Sequence, residues 1–86
     1  MYRLSLTDQA CADLERLPPR HRENMLETLR RLESWPNRGC DVRKLKGVLA
    51  GSWRVRRGDY RAAFYVDSAR QEILVTWIRP RERAYQ

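Results

Sequence analysis

The chain has 86 residues, 42% of them hydrophobic, with 18 Lys and Arg against 11 Asp and Glu and a net charge of +7. This size bounds it to one domain, 1–86, with a modest core, and the hydrophobic share excludes wholesale disorder. No apolar run nears the ~20 residues of a membrane span and no signal-peptide pattern opens the chain, so a soluble protein of the cytoplasm is expected, without a membrane partner.

Tyr2, Leu4 and Leu6 alternate with Arg3 and Ser5, as on a half-buried strand. Thr7 or Asp8 can cap the helix that follows, on which Ala10, Leu14 and Leu17 form an apolar stripe. Pro18 and Pro19 end that helix, and Pro19 suits the first turn of the next. Met25, Leu26, Leu29 and Leu32 line the second helix up to about Trp35, where Pro36 stops it. Residues 37–51 read as a linker with Asn37, Gly39, Gly47 and Gly51, containing the basic run Arg43-Lys44-Leu45-Lys46. Lys44 and Lys46 there are candidate contacts for an anionic partner, the alternative being an ordinary solvated loop. Strands are expected near 52–57, 60–67 and 72–79. The order is βααβββ, an α+β domain with a two-helix hairpin on one face of a mostly antiparallel sheet and the other face open.

The charge follows this division. Residues 1–40 hold seven basic against six acidic residues, whereas residues 41–86 hold eleven against five. Most of the excess lies among the expected strands, which points to an anionic partner. If Gly58-Asp59 is a two-residue hairpin turn, Arg57 faces Tyr60, Arg56 faces Arg61, Val55 faces Ala62, Arg54 faces Ala63 and Trp53 faces Phe64. Trp53, Val55, Ala62 and Phe64 then share the helix-covered face, and Arg54, Arg56 and Arg61 share the open one. Directly paired arginines cost about 0.2–1 kcal/mol, so this register calls for an anion. With Ser68–Gln71 as the next loop, Ile73, Val75 and Trp77 are expected in the core, and Arg61 opposite Ile78. Arg81 and Tyr85 would join the basic patch after Pro80, while Arg79 and Arg83 are expected to be bystanders.

Three features carry a family resemblance: the order of elements with the Leu45-Lys46-Gly47 turn, the block Trp53-Arg54-Val55-Arg56-Arg57-Gly58-Asp59-Tyr60-Arg61, and the ending Arg81-Glu82-Arg83-Ala84-Tyr85. The chain resembles the RelE/ParE superfamily, the toxins of type II toxin–antitoxin systems, over almost its whole length. It is more similar to the RelE branch, ribosome-dependent mRNA endonucleases. The resemblance implies a RelE-like fold and catalytic roles for Arg61, Arg81 and Tyr85, with Lys44, Lys46, Arg54 and Arg56 binding RNA or the ribosome. It departs from the family in the compact segment between Arg81 and Tyr85. It also implies a neutralising antitoxin, commonly acidic, in a hetero-oligomer. Trp35, Met25 or Leu26 are candidates to anchor that partner.

In the implied reaction the RNA 2′-hydroxyl attacks the adjacent phosphorus. Arg61 and Arg81 suit charge relief at the phosphate, because guanidinium binds it bidentately and stays charged. Tyr85 can stack on a base or assist proton transfer, though its ordinary pKa of ~10 makes it a weak base. His21, the sole histidine, opens the second helix away from the patch, so a His-pair ribonuclease is excluded. Neither it nor Cys11 and Cys40 has metal-ligand spacing, so no metal or cofactor is expected and the cysteines read as reduced thiols. The alternatives are a ParE-like gyrase inhibitor on the same scaffold, or a non-catalytic basic binding module.

Overall fold

A computed structural model describes residues 1–36, 39–45 and 51–81. The elements are β1 (Arg3–Leu6), α1 (Asp8–Arg16), α2 (Pro19–Arg31) with a 3-10 turn at Leu32–Ser34, β2 (Asp41–Lys44), β3 (Ser52–Arg57), β4 (Tyr60–Asp67) and β5 (Glu72–Pro80). Two helices thus pack on one face of a five-stranded sheet of order β1-β5-β4-β3-β2, in which only the β1–β5 pairing is parallel. No described helix is long and apolar enough to cross a membrane.

Local chemistry explains the helix ends. Thr7 caps α1, its Oγ1 accepting the Ala10 N–H at 3.1 Å. The same hydroxyl donates to the Thr76 carbonyl at 3.0 Å, tying the helix start to β5. Pro18 is the N-cap of α2 and Pro19 its first helical residue, where a missing N–H costs nothing. Ala10 of α1 and its C-cap Leu17, Met25 and Leu29 of α2, and Leu32 bury against Val55, Ala62, Phe64, Val66, Ile73, Val75 and Ile78 of the sheet. Trp35 seals one end, edge-on to both Trp53 and Phe64 at centroid distances of 5.0 and 5.6 Å.

The β3–β4 hairpin has the expected register from Trp53↔Phe64 to Arg57↔Tyr60. Gly58 takes a φ of +59° in the turn, a conformation that glycine adopts without steric cost. The pairing fixes which face each side chain takes. Arg57 lies on the helix side, where one guanidinium nitrogen bonds Glu27 and the buried Thr28 hydroxyl, both at 3.0 Å. The hydrogen bond from Arg57, with Arg31 nearby, holds the Glu27 carboxyl below its usual range. A lowered folded-state pKa stabilises above the ordinary carboxylate range, and that contribution fades as the pH falls through the lowered value. Arg57→Ala leaves the Thr28 hydroxyl without this donor; we expect a loss of about 1 kcal/mol, read as a fall in Tm of roughly 4–8 °C by thermal unfolding.

Two expectations fail here. The 37–51 linker contains β2: Cys40 and Val42 pack on the core while Asp41 and Arg43 alternate outward, and the strand pairs with β3. In β5 the pairing jumps from Phe64↔Val75 to Ala63↔Trp77, leaving Thr76 as an extra residue. The Thr76 hydroxyl donates to the Ala63 carbonyl at 3.4 Å, and Asp13 of α1 accepts the Ile78 N–H at 3.0 Å. A one-residue slip exchanges the faces of everything beyond it. Ile78 therefore enters the core, Trp77 turns to the open face, and Arg61 lies opposite Arg79 rather than Ile78.

Candidate functional site

The sheet face away from the helices is built in rows that cross the strands. One row runs Asp41, Arg56, Arg61, Arg79 from β2 to β5. The next runs Arg43, Arg54, Ala63, Trp77. Arg81 ends the described segment at the Arg61–Arg79 end of the sheet; its N–H donates to the Asp59 carbonyl at 2.7 Å, holding it beside the β3–β4 turn. Arg54, Arg56 and Arg61 thus share the open face as the hairpin arithmetic requires. Arg79, expected to be a bystander, lies directly across from Arg61.

Lys44 does not belong to this face. It pairs with Trp53, so it lies on the helix side of an edge strand, and its neighbour Arg43 takes the place opposite Arg54. The strand β2 is the physical reason, because strand alternation separates two basic residues that a loop would leave together. Lys46, Tyr85 and Arg83 lie outside the described residues. His21 packs its ring 5.0 Å from Tyr60 on the helix side. Cys11 and Cys40 are free thiols, and no group of described His, Cys, Asp or Glu residues is arranged to hold a metal ion. Of the candidate anchors, Met25 is 1% exposed and Trp35 is half-buried, packed against the core. Leu26 lines a surface groove, about 330 Å³ in volume, with Glu23, Glu27 and Arg30.

Three adjacent guanidinium groups repel, and the fold offsets this in two ways. Asp41 sits beside Arg56 with an N···O distance of 3.4 Å. Both partners are well exposed, and such a pair is worth about 0–1 kcal/mol. Trp77, turned outward by the bulge, lies under two cations: the Arg79 guanidinium carbon is 4.3 Å and that of Arg61 5.2 Å from its ring centroid. Each such contact contributes about 0.5–1 kcal/mol at an exposed site. The like-charge pairing is therefore accommodated without a ligand, yet positive charge remains concentrated along the row. Guanidinium groups held by an aromatic floor are oriented in advance, which favours bidentate binding of oxyanions such as phosphate.

Arg43, Arg79 and Trp77 had only a partial signal, too weak to place them without the cross-strand pairing. Cys40-Asp41-Val42-Arg43 already alternates, and in Ile73-Leu74-Val75-Thr76-Trp77-Ile78 the apolar Ile78 falls out of step with Ile73 and Val75.

Two helices on a five-stranded sheet, with a cationic open face, define a small α+β domain suited to an anionic partner. Residues 4–85 match the family model described as the ParE toxin of type II toxin–antitoxin systems, parDE. The chain belongs to this family of type II toxins, within the RelE/ParE superfamily. It is similar to the crystallised archaeal RelE of the RelE–RelB complex from Pyrococcus horikoshii OT3, at 32% identity and a TM-score of 0.80 over 95% of this chain and 97% of that one. The toxin of the RelBE2 complex from Mycobacterium tuberculosis is 30% identical, with a TM-score of 0.80 over 93% and 98% of the two chains. A YoeB/ParE toxin from Agrobacterium tumefaciens is 26% identical, with a TM-score of 0.76 over 91% and 96%. No curated protein matches the chain significantly.

Proposed function

We propose that this toxin is a metal-independent endoribonuclease that cuts message on the ribosome and so stops translation. The observation that carries the reading is the pairing of Arg61 with Arg79 across β4 and β5, backed by Arg54 and Arg56, with Arg81 beside the hairpin turn. In the reaction the 2′-oxygen bonds to phosphorus and the bond from phosphorus to the 5′-oxygen breaks. The products are a 2′,3′-cyclic phosphate and a 5′-hydroxyl; the proton of the 2′-hydroxyl leaves to a base and another reaches the departing oxygen. Arg61 and Arg81 stabilise the extra negative charge as the pentavalent phosphorus forms. Arg54 and Arg56 hold the flanking backbone. Tyr85 is assigned base stacking or proton transfer.

Weak acid–base groups are the reason for ribosome dependence. With no histidine on the described open face, the rate rests on orientation of the 2′-oxygen in line with the leaving oxygen, which a ribosome-held message supplies. Free RNA is cut slowly or not at all. A cognate antitoxin with an acidic segment neutralises the toxin by covering the arginine face. Complexes with a RelB antitoxin in the Pyrococcus and Mycobacterium relatives support such a partner.

The match to the ParE toxin model favours one rival, gyrase inhibition. One pair of assays separates the two. Added to a translating extract, the toxin is expected to generate codon-phased message ends at the ribosomal A site and to leave DNA supercoiling by purified gyrase untouched. Intact message with blocked supercoiling assigns it to gyrase.

A further inference from the structure

The arginine rows occupy one end of the open face, and the other end differs in character. Beyond Ala63 and Trp77 the next cross-strand pair is Tyr65 and Leu74, which are 40% and 38% exposed. They are the only described large hydrophobic residues in that exposure class besides Met1. Ser52 and Ser5 flank them on β3 and β1, so the apolar pair sits within a polar border. Tyr65 follows Arg61 by four residues on β4, about 13 Å at ~3.3 Å per residue. Trp77 and Ala63 lie between, so the strip is continuous: guanidinium pair, indole, phenol with leucine.

The Tyr65 ring is also held in place. A Cβ on Gly51 would come within 3.1 Å of its Cε1 atom and within 3.1 Å of the Val66 carbonyl oxygen, and Gly51 has a φ of +87°. Only glycine suits that position, and its bare backbone supports the edge of the ring. Val66 donates its N–H to the Gly51 carbonyl at 2.9 Å, which fixes this backing against β4. A surface aromatic so supported has lost much of its freedom before any ligand arrives.

We propose that Tyr65, with Leu74 at its side, is the base-stacking platform of this toxin and determines its sequence preference at a nucleotide next to the cleaved linkage. The inference rests on the nuclease reading and adds a second element to it: arginines grip the phosphates while Tyr65 takes a base. Single-stranded RNA suits this strip better than an apolar protein surface does. The patch runs without interruption into the Arg61–Arg79 row, and cations adjoining aromatics fit a chain that offers both phosphates and base π-faces. The ~13 Å separation exceeds one nucleotide, which places the stacked base on a neighbour of the scissile phosphate. Trp77 is a positioning residue here, since Arg61 and Arg79 lie over its ring.

The test uses the ribosome-bound complex. A message made with 2′-deoxy residues in the A-site codon, so that it is not cut, carries 2-aminopurine at successive positions. Wild-type toxin and Tyr65→Phe are expected to quench the fluorophore at one flanking position. Tyr65→Leu, which keeps the bulk and loses the π-face, is expected to abolish that quenching and weaken binding about tenfold. It also flattens the base preference of the cuts in cleavable message. Equal quenching, affinity and cut-site preference in Tyr65→Leu overturn the platform, while cutting by the wild-type chain leaves the nuclease reading standing. A wild-type chain that neither binds nor cuts on the ribosome overturns both. Self-association that Tyr65→Leu disperses in sedimentation, with RNA binding unchanged, assigns the patch to a second copy and overturns the proposal.

Discussion

Arg61→Ala should abolish message cleavage in a translating extract, with the rate falling on the order of 10²–10³-fold, the usual cost of removing one preorganised donor to developing charge. Arg61 lies between Arg56 and Arg79 in the cationic row and partly over Trp77, so its guanidinium is oriented before RNA arrives. The alanine removes charge and hydrogen-bond geometry together. Arg61→Lys restores the charge without the planar fork, and an intermediate rate is expected, since lysine binds phosphate as a point charge. Arg61 faces away from the core, so Arg61→Ala should lower the Tm far less than a core truncation does, and Arg61→Lys, which keeps the charge, less still. Wild-type rates in Arg61→Ala would remove this residue from the reaction.

Phe64→Ala should be the most destabilising change in the sheet, at about 3–5 kcal/mol. The ring is 1% exposed, lies across from Trp53 on one side and Val75 on the other, and meets Trp35 edge-on. A domain of this size commonly has only about 5–15 kcal/mol in total, so the variant should melt more than about 10 °C lower. Arg61, three residues before it on the same strand, faces the opposite way. A large fall in Tm for Phe64→Ala and a small one for Arg61→Ala together test the assignment of faces. Similar melting of Phe64→Ala and the wild type would show that the helix-covered face is wrong.

The hairpin was legible because two independent signals agreed. Gly58-Asp59 marked the turn, and alternation of Trp53 and Val55 with Arg54 and Arg56 marked the faces; both extend correctly across to Phe64 and Ala62. Helix ends were legible for the same reason, with Thr7 as cap and Pro18-Pro19 as break. Period-two counting could not carry through Thr76, because a bulge depends on partners far away in sequence: the Ala63 carbonyl, Thr7 and Asp13. Arg79 and Trp77 were misplaced for that one reason. Strand β2 is four residues long and gains its definition from pairing with β3, a tertiary contact that local composition does not encode. The candidate site was thus half visible: Arg54, Arg56 and Arg61 from the turn, but neither the indole floor that holds the arginines nor the carboxylate of Asp41 that tempers them.

The chemistry of the cut ends tests the central claim most directly. In a translating extract, wild-type toxin should leave message fragments with 2′,3′-cyclic phosphate and 5′-hydroxyl ends at A-site codons, and Arg81→Ala should leave far fewer. Fragments ending in 3′-hydroxyl and 5′-phosphate, the signature of attack by water, or message left whole would contradict the account.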